Sequence, residues 1–117
     1  MNNKTRLIEY HAALNAFDLA GASKMFADNA AYISPGLKNS IVGRTAIMSA
    51  MAEYFAEYSD QVSLEDEVLE LDAMRIQSVW ALNATSNKTG VKVQRRGKEI
   101  ATFDKDGLII KIEVIDT

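Results

Sequence analysis

The sequence predicts a single α+β domain over residues 1–117, in which helices come first and an antiparallel sheet follows. Two observations point to this fold class. Apolar residues recur at helical spacing in the first half of the chain, and from Val62 onward the apolar period changes to two, which is typical of strands. Apolar residues make up 48% and charged residues 25%, so we expect one well-packed globular core.

Three helices are predicted in the N-terminal half. The first has an apolar stripe of side chains three and four positions apart, namely Leu7, Tyr10, His11, Leu14 and Phe17. Asp18 caps a shorter second helix, whose apolar face includes Met25 and Phe26 and which ends at Asp28. A third helix covers residues 45–58, and its apolar side chains are expected to face the sheet.

Five strands complete the element order α-α-β-α-β-β-β-β. A short strand at 31–33 is followed by a turn at 34–36 that contains the only proline of the chain. The later strands are predicted at 62–71, with a break in phase near Asp66, and at 74–83, 91–103 and 108–115. Asp106-Gly107 is the strongest hairpin signal, and the last strand is so apolar that we expect cover on both faces.

Composition excludes several classes of function. The net charge of −3 argues against binding to nucleic acid, which usually requires a clustered basic surface. The chain has no cysteine and a single histidine, so we expect no disulfide, no metal centre and no cofactor. It has no apolar stretch long enough to span a membrane, and its polar N-terminus lacks a signal-peptide core. We therefore expect a cytoplasmic protein without membrane contact.

Several segments of the chain resemble one known superfamily. Residues 10–19 (YHAALNAFDL), 25–30 (MFADNA), 43–47 (GRTAI) and 97–107 are similar to nuclear-transport-factor-2-like (NTF2-like) proteins, nearest to ketosteroid isomerases and SnoaL-like polyketide cyclases. The resemblance implies a cone-shaped, cystatin-like α+β barrel, with three N-terminal helices packed on a curved antiparallel sheet. It also implies a ligand-binding cavity at the open end and a homodimer. The activity does not follow, because one fold hosts many functions.

The resemblance also implies site residues. The oxyanion-binding tyrosine of the ketosteroid isomerases falls on Tyr10, their protonated acid on Glu99, and their general-base aspartate on Ser34, before Pro35. Tyr10 and Glu99 would polarise the carbonyl of a small apolar or aromatic ligand. Serine with an unperturbed hydroxyl pKa cannot abstract a proton, so the unchanged steroid reaction is not expected.

Two further residues bear on catalysis. Glu99 lies in phase with Phe103 on its strand. If this face lines the cavity, Glu99 is buried, and burial raises its pKa so that the neutral acid can donate a hydrogen bond. In the alternative phase, Glu99 faces solvent. His11 could supply a base at neutral pH. It lies about 100° around the helix from Tyr10, so both cannot point into one pocket, and a core or interface histidine is the alternative.

Three readings of function remain open. The first is an isomerase or cyclase, the second a non-catalytic ligand-binding domain, and the third a dimerisation module whose pocket is filled by side chains. Tyr32, Phe55 and Trp80 are the candidate aromatic walls for a flat ligand, with core packing as the alternative, and Ser34 and Phe103 are further candidate ligand contacts. An acidic run at 65–72 and a basic run at 88–98 could complement each other across a homodimer.

Overall fold

The computed structural model describes residues 2–35 and 40–116, and within them the chain forms an α+β fold, as predicted. Its elements are α1 (Asn3–Asn15), α2 (Leu19–Ser23), β1 (Phe26–Ile33), β2 (Ser40–Val42), α3 (Arg44–Glu57), β3 (Val62–Glu70), β4 (Arg75–Thr85), β5 (Lys92–Phe103) and β6 (Ile109–Asp116). The strands make one curved, open sheet in the order β2-β1-β6-β5-β4-β3. All neighbouring strands are antiparallel except β1 and β6, which are parallel.

The start of β1 differs from the prediction. Asp18 caps α2 as expected, accepting a hydrogen bond from the Gly21 amide at 2.9 Å. The helix ends at Ser23, however, and Phe26 begins β1 instead of extending the helical face. A five-residue helix contributes little stability by itself. Pairing of Phe26 with Ile109 of β6 brings the fully buried ring into the core, and this long-range contact determines the local structure.

The predicted meander of β3 to β6 is confirmed. The break in phase near Asp66 is a register shift between Glu65 and Glu67, which is the signature of a β-bulge. Gly107 adopts φ +82° in the hairpin between β5 and β6, a conformation that favours glycine. The prediction missed β2 and the parallel pairing of β1 with β6. Gly36, which was predicted to complete a turn, lies outside the described residues.

The core lies between the helices and the inner, concave face of the sheet. Its largest fully buried side chains come from helices and strands alike: Tyr10, Phe26, Phe103, Leu7, Ile47, Ile76, Ile109 and Ile112. Tyr10 of α1 packs edge-on against Phe26 of β1, with ring centroids 5.4 Å apart. Met51 of α3 joins this core, in line with its prediction as apolar filler.

The outer face of the sheet is not covered in the single chain. Ile112 of β6 is fully buried, but Ile115 on the opposite face is 48% exposed. The expectation that the last strand is covered on both faces is therefore wrong for one chain, because α1 and α3 pack against the inner face and α2 packs on these two helices. Among the described residues, none of the helices has both the length and the apolar character needed to cross a bilayer.

Candidate functional site

A cavity opens between α1, α3 and the inner face of the sheet. Its volume is about 120 Å³, and one end is open to solvent. Six of the residues predicted for the site line it: His11, Tyr32, Ser34, Phe55, Trp80 and Glu99. A dry void of about 150 Å³ can hold a benzene molecule, so the cavity has the size of a single ring.

An imidazole–carboxylate pair forms part of the cavity wall. His11 Nε2 of α1 lies 2.6 Å from Glu99 Oε1 of β5. The two side chains are 19% and 8% exposed, so the contact is largely shielded from water. Glu99 faces inward because its neighbours across the strands, Ser78 and Val114, occupy the same face of the sheet. This is the inward phase that was expected for β5, but the carboxyl contacts His11 rather than standing alone.

Two tyrosines lie next to this pair. Tyr32 lines the cavity, and its pKa is raised strongly by burial and further by the negative charge of Glu99. Tyr10 is fully buried, and its pKa is also raised, first by burial and then by Tyr32 and Glu99. Both phenols therefore stay protonated at neutral pH and can act only as neutral donors or acceptors.

Two predicted contact residues do not reach the cavity wall. Tyr10 lies behind it, and its hydroxyl has no hydrogen-bond partner among the described residues. As the helical geometry required, only one of Tyr10 and His11 faces the cavity, and that residue is His11. Phe103 belongs to the core and is 2% exposed, because it lies four positions, or about 13 Å, beyond Glu99 along β5.

A polar group at the cavity mouth was not predicted. Arg95 of β5 contacts both carboxylate oxygens of Asp116, at 3.2 and 2.8 Å, and donates to the Tyr54 hydroxyl at 3.3 Å. Its guanidinium also lies over the Trp80 ring, 5.4 Å from the centroid. Burial lowers the pKa of Arg95, but the hydrogen bonds to Asp116 and Tyr54 together outweigh this effect. The net shift is upward, so the guanidinium keeps its charge.

A sequence signal for Arg95 existed but was read differently. Arg95 shares the inward phase of Glu99, four positions away along β5. Arg95 was instead counted in the basic run at 88–98, for which a complementary role across a homodimer was predicted. Gln61 was also missed; it lines the cavity, and its buried Nε2 has no partner among the described residues.

The described part of the chain contains no cluster of three or more histidine, cysteine, aspartate or glutamate side chains positioned to hold a metal ion. What the cavity does combine is one imidazole, one carboxylate, a protonated phenol and aromatic walls. Three helices on a curved, mostly antiparallel sheet, with a cavity between them, define a cone-shaped α+β domain.

Comparison with known proteins places this domain in a family. The family model of the SnoaL-like domain matches residues 7–112, and the chain belongs to this family. A search of curated proteins found no match. The fold is that of the NTF2-like proteins, as the similarity of the solved structures below shows.

Three solved structures illustrate the similarity of fold. Bal32a, from a soil-derived mobile gene cassette, is 21% identical with a TM-score of 0.88, covering 97% of this chain and 88% of that one. RV0760c from Mycobacterium tuberculosis, solved with estradiol-17beta-hemisuccinate, is 16% identical with a TM-score of 0.84, covering 97% and 93%. SalBIII, described as an epoxide hydrolase/cyclase-like enzyme in pyran ring formation, is 19% identical with a TM-score of 0.85, covering 98% and 90%.

Proposed function

We propose that this chain is an enzyme that moves a proton on a small carbonyl compound, as an isomerase or cyclase does. The observation that carries the proposal is the 2.6 Å contact between His11 and Glu99 in the cavity wall. An imidazole changes its charge near neutral pH, and a carboxylate fixes its orientation and stabilises its protonated form. The missing aspartate at Ser34 is thereby replaced by a base on another element.

The chemistry assigned to the pair is the removal and return of one proton. A carbon next to a carbonyl gives its proton to the His11–Glu99 pair, and the electron pair of the C–H bond moves into an enolate. The Tyr32 hydroxyl, which stays protonated, donates a hydrogen bond to the developing oxygen anion. Return of the proton at another carbon of a conjugated enolate gives an isomer. Attack of the enolate carbon on a second carbonyl of the ligand gives a ring, and the alkoxide formed there takes the proton back from the pair.

The walls indicate the kind of ligand. Trp80 and Phe55 line the cavity, and Phe55 is held by stacking on Phe17 with centroids 5.0 Å apart. Aromatic walls and a volume of about 120 Å³ favour one flat apolar ring. The steroid ester bound by RV0760c and the ring formation ascribed to SalBIII support a small organic ligand for this chain too.

Hydrogen–deuterium exchange tests the proposal. The α-protons of 1-indanone and 1-phenylpropan-2-one are followed by proton NMR in deuterated buffer, with and without protein. We expect the native protein to accelerate the exchange and His11→Gln to lower the acceleration about 100-fold, the usual contribution of a general base. Glutamine keeps a polar side chain of similar length at the cavity wall.

Glu113→Gln is the matched control for this experiment. Glu113 pairs with Ile100 on the outer face of the sheet, one residue before Val114, so its loss should leave the exchange unchanged. Ligand binding without any exchange above that of the buffer would refute the catalytic proposal and leave the alternative, a non-catalytic binding domain. The third reading, a filled pocket, would require that neither ketone binds at all.

We further propose that this single-domain, cytoplasmic protein is a homodimer formed through the outer face of the sheet. Leu64, Leu69 and Ile115 expose apolar side chains there, and Glu67 and Lys98 add charges of both signs that suit a second copy. Light scattering should give twice the mass of one chain, and Ile115→Glu should give a monomer. A monomeric native protein would refute the dimer.

A further inference from the structure

A second space lies against the cavity mouth. This crevice has a volume of about 260 Å³ and is lined by Pro35, Tyr54, Glu57, Tyr58, Val93, Arg95 and Asp116. Tyr54 and Arg95 also line the cavity, so the cavity and the crevice meet at these two side chains. Typical ligand sites occupy about 300–1,000 Å³. Neither space reaches that size alone, whereas the two together fall within it.

The chemistry of the two spaces differs. The cavity presents aromatic rings and the His11–Glu99 pair, while the crevice presents the guanidinium of Arg95 between Asp116 and Tyr54. A ligand that fills both spaces therefore needs an apolar part and a part that suits a guanidinium. Planar oxyanions, carboxylates above all, match the geometry of a guanidinium.

Arg95 has the capacity to bind such a group. A guanidinium carries five N–H donors, and the hydrogen bonds to Asp116 and Tyr54 use three of them. The Trp80 ring beneath it and the hydrogen bond to Tyr54 hold the plane of the guanidinium in place before a ligand arrives. Asp116 itself is 39% exposed, so it can turn to solvent when a ligand carboxylate takes over its contacts.

We propose that the ligand is an aromatic oxo acid, with its ring in the cavity, its carbonyl beside His11 and Glu99, and its carboxylate on Arg95. Arg95 is then the residue that determines specificity. This inference rests on the proposed function and names the substrate class of the same site. It assigns the discrimination between acids and neutral ketones to one side chain that takes no part in the proton transfer.

Binding of a matched pair of ligands tests the inference. Phenylpyruvate carries a ring, a carbonyl and a carboxylate, and 1-phenylpropan-2-one keeps the ring and the carbonyl alone. Trp80 is the only tryptophan of the chain, so its fluorescence reports binding at this site directly. We expect phenylpyruvate to bind about 10-fold more tightly, the effect of one good charge-assisted contact.

Two variants give opposite expected shifts. Arg95→Gln should bring the two dissociation constants together by weakening phenylpyruvate alone. Asp116→Asn removes the internal competitor for the guanidinium, so it should tighten phenylpyruvate about threefold or more and leave the ketone unchanged. Because Asp116 is near the surface, this variant stays informative if Arg95→Gln does not fold.

Equal affinities for the two ligands in the native protein, or no binding of either, would overturn the inference. So would a preference for the acid that Asp116→Asn weakens. Failure of the proposed function is recognised separately, because the exchange experiment reads His11 and not Arg95. An acid that binds through Arg95 without exchange contradicts catalysis alone, and exchange of ketones without preference for the acid contradicts only this inference.

Discussion

The wall and the mouth of the cavity each contain an ion pair, and the two pairs are built differently. His11 and Glu99 in the wall are 19% and 8% exposed and share one short contact of 2.6 Å. Arg95 and Asp116 at the mouth are 18% and 39% exposed and share two contacts, with Trp80 and Tyr54 as further partners of Arg95. The imidazole and the guanidinium are about equally exposed, so the two pairs differ in the exposure of the carboxylate and in the number of partners that each basic group has.

This difference separates two tasks. An imidazole can lose its proton near neutral pH, so the pair in the wall can change its proton content, whereas a guanidinium keeps its charge throughout. Shielding from water strengthens every electrostatic effect on a proton near Glu99. The pair at the mouth is suited to recognition of a charged group and the pair in the wall to proton transfer.

The largest stability effect is expected in the wall. Glu99→Gln removes a hydrogen bond to a charged group and should lower the free energy of unfolding by about 2 kcal/mol. The loss stays below the 3–5 kcal/mol typical of a broken fully buried ion pair, because His11 is 19% exposed and water can reach its ring. Denaturation of both proteins with urea at one fixed pH measures the difference.

Substitutions by glutamine at two other charged residues give a scale for the stability loss in Glu99→Gln. Arg95→Gln leaves a half-exposed Asp116 and should cost about 1 kcal/mol or less. Glu113→Gln on the outer face should cost less than about 0.5 kcal/mol. If Glu99→Gln were no more harmful than Glu113→Gln, the pair in the wall would not exist in solution, and the contrast between wall and mouth would disappear.

The parts of the fold that were predictable are those specified by neighbouring residues. The cap at Asp18, the bulge near Asp66 and the turn at Gly107 each leave a signature within a few positions of sequence. The extension of β1 back to Phe26 does not, because its cause is Ile109, far along the chain. Parallel pairing of distant strands leaves no local pattern for periodicity to detect.

The site was predictable in composition but not in geometry. Strand phase favoured an inward Glu99, and Tyr32 and Trp80 were named as aromatic candidates for the walls; in the structure Glu99 is buried and all three residues line the cavity. Which of two neighbouring helical residues faces the cavity depends on how α1 is rotated, and the sequence leaves that rotation undetermined. Arg95 was overlooked because a charged residue among other cations is usually solvated, whereas here Asp116 compensates its partial burial.

A change in the opposite, stabilising direction is expected at Tyr10, which lies behind the wall. Its hydroxyl is buried and has no partner in hydrogen-bond geometry among the described residues. Tyr10→Phe removes an unsatisfied polar group and keeps the ring packed on Phe26, so it should raise the free energy of unfolding by about 1 kcal/mol. Tyr54→Phe is the control, because its hydroxyl accepts from Arg95 and its loss should not stabilise the fold.

Kinetics make this variant decisive for the role of Tyr10. The resemblance to ketosteroid isomerases assigns the oxyanion contact to Tyr10, whereas the cavity presents the Tyr32 hydroxyl to a ligand. We therefore expect ketone exchange to be nearly unchanged in Tyr10→Phe and clearly slower in Tyr32→Phe. A loss of about 100-fold in Tyr10→Phe would mean that the Tyr10 hydroxyl reaches the ligand. Tyr10 would then be the oxyanion donor, and the distinction between the reactive wall and the packed residues behind it would be wrong.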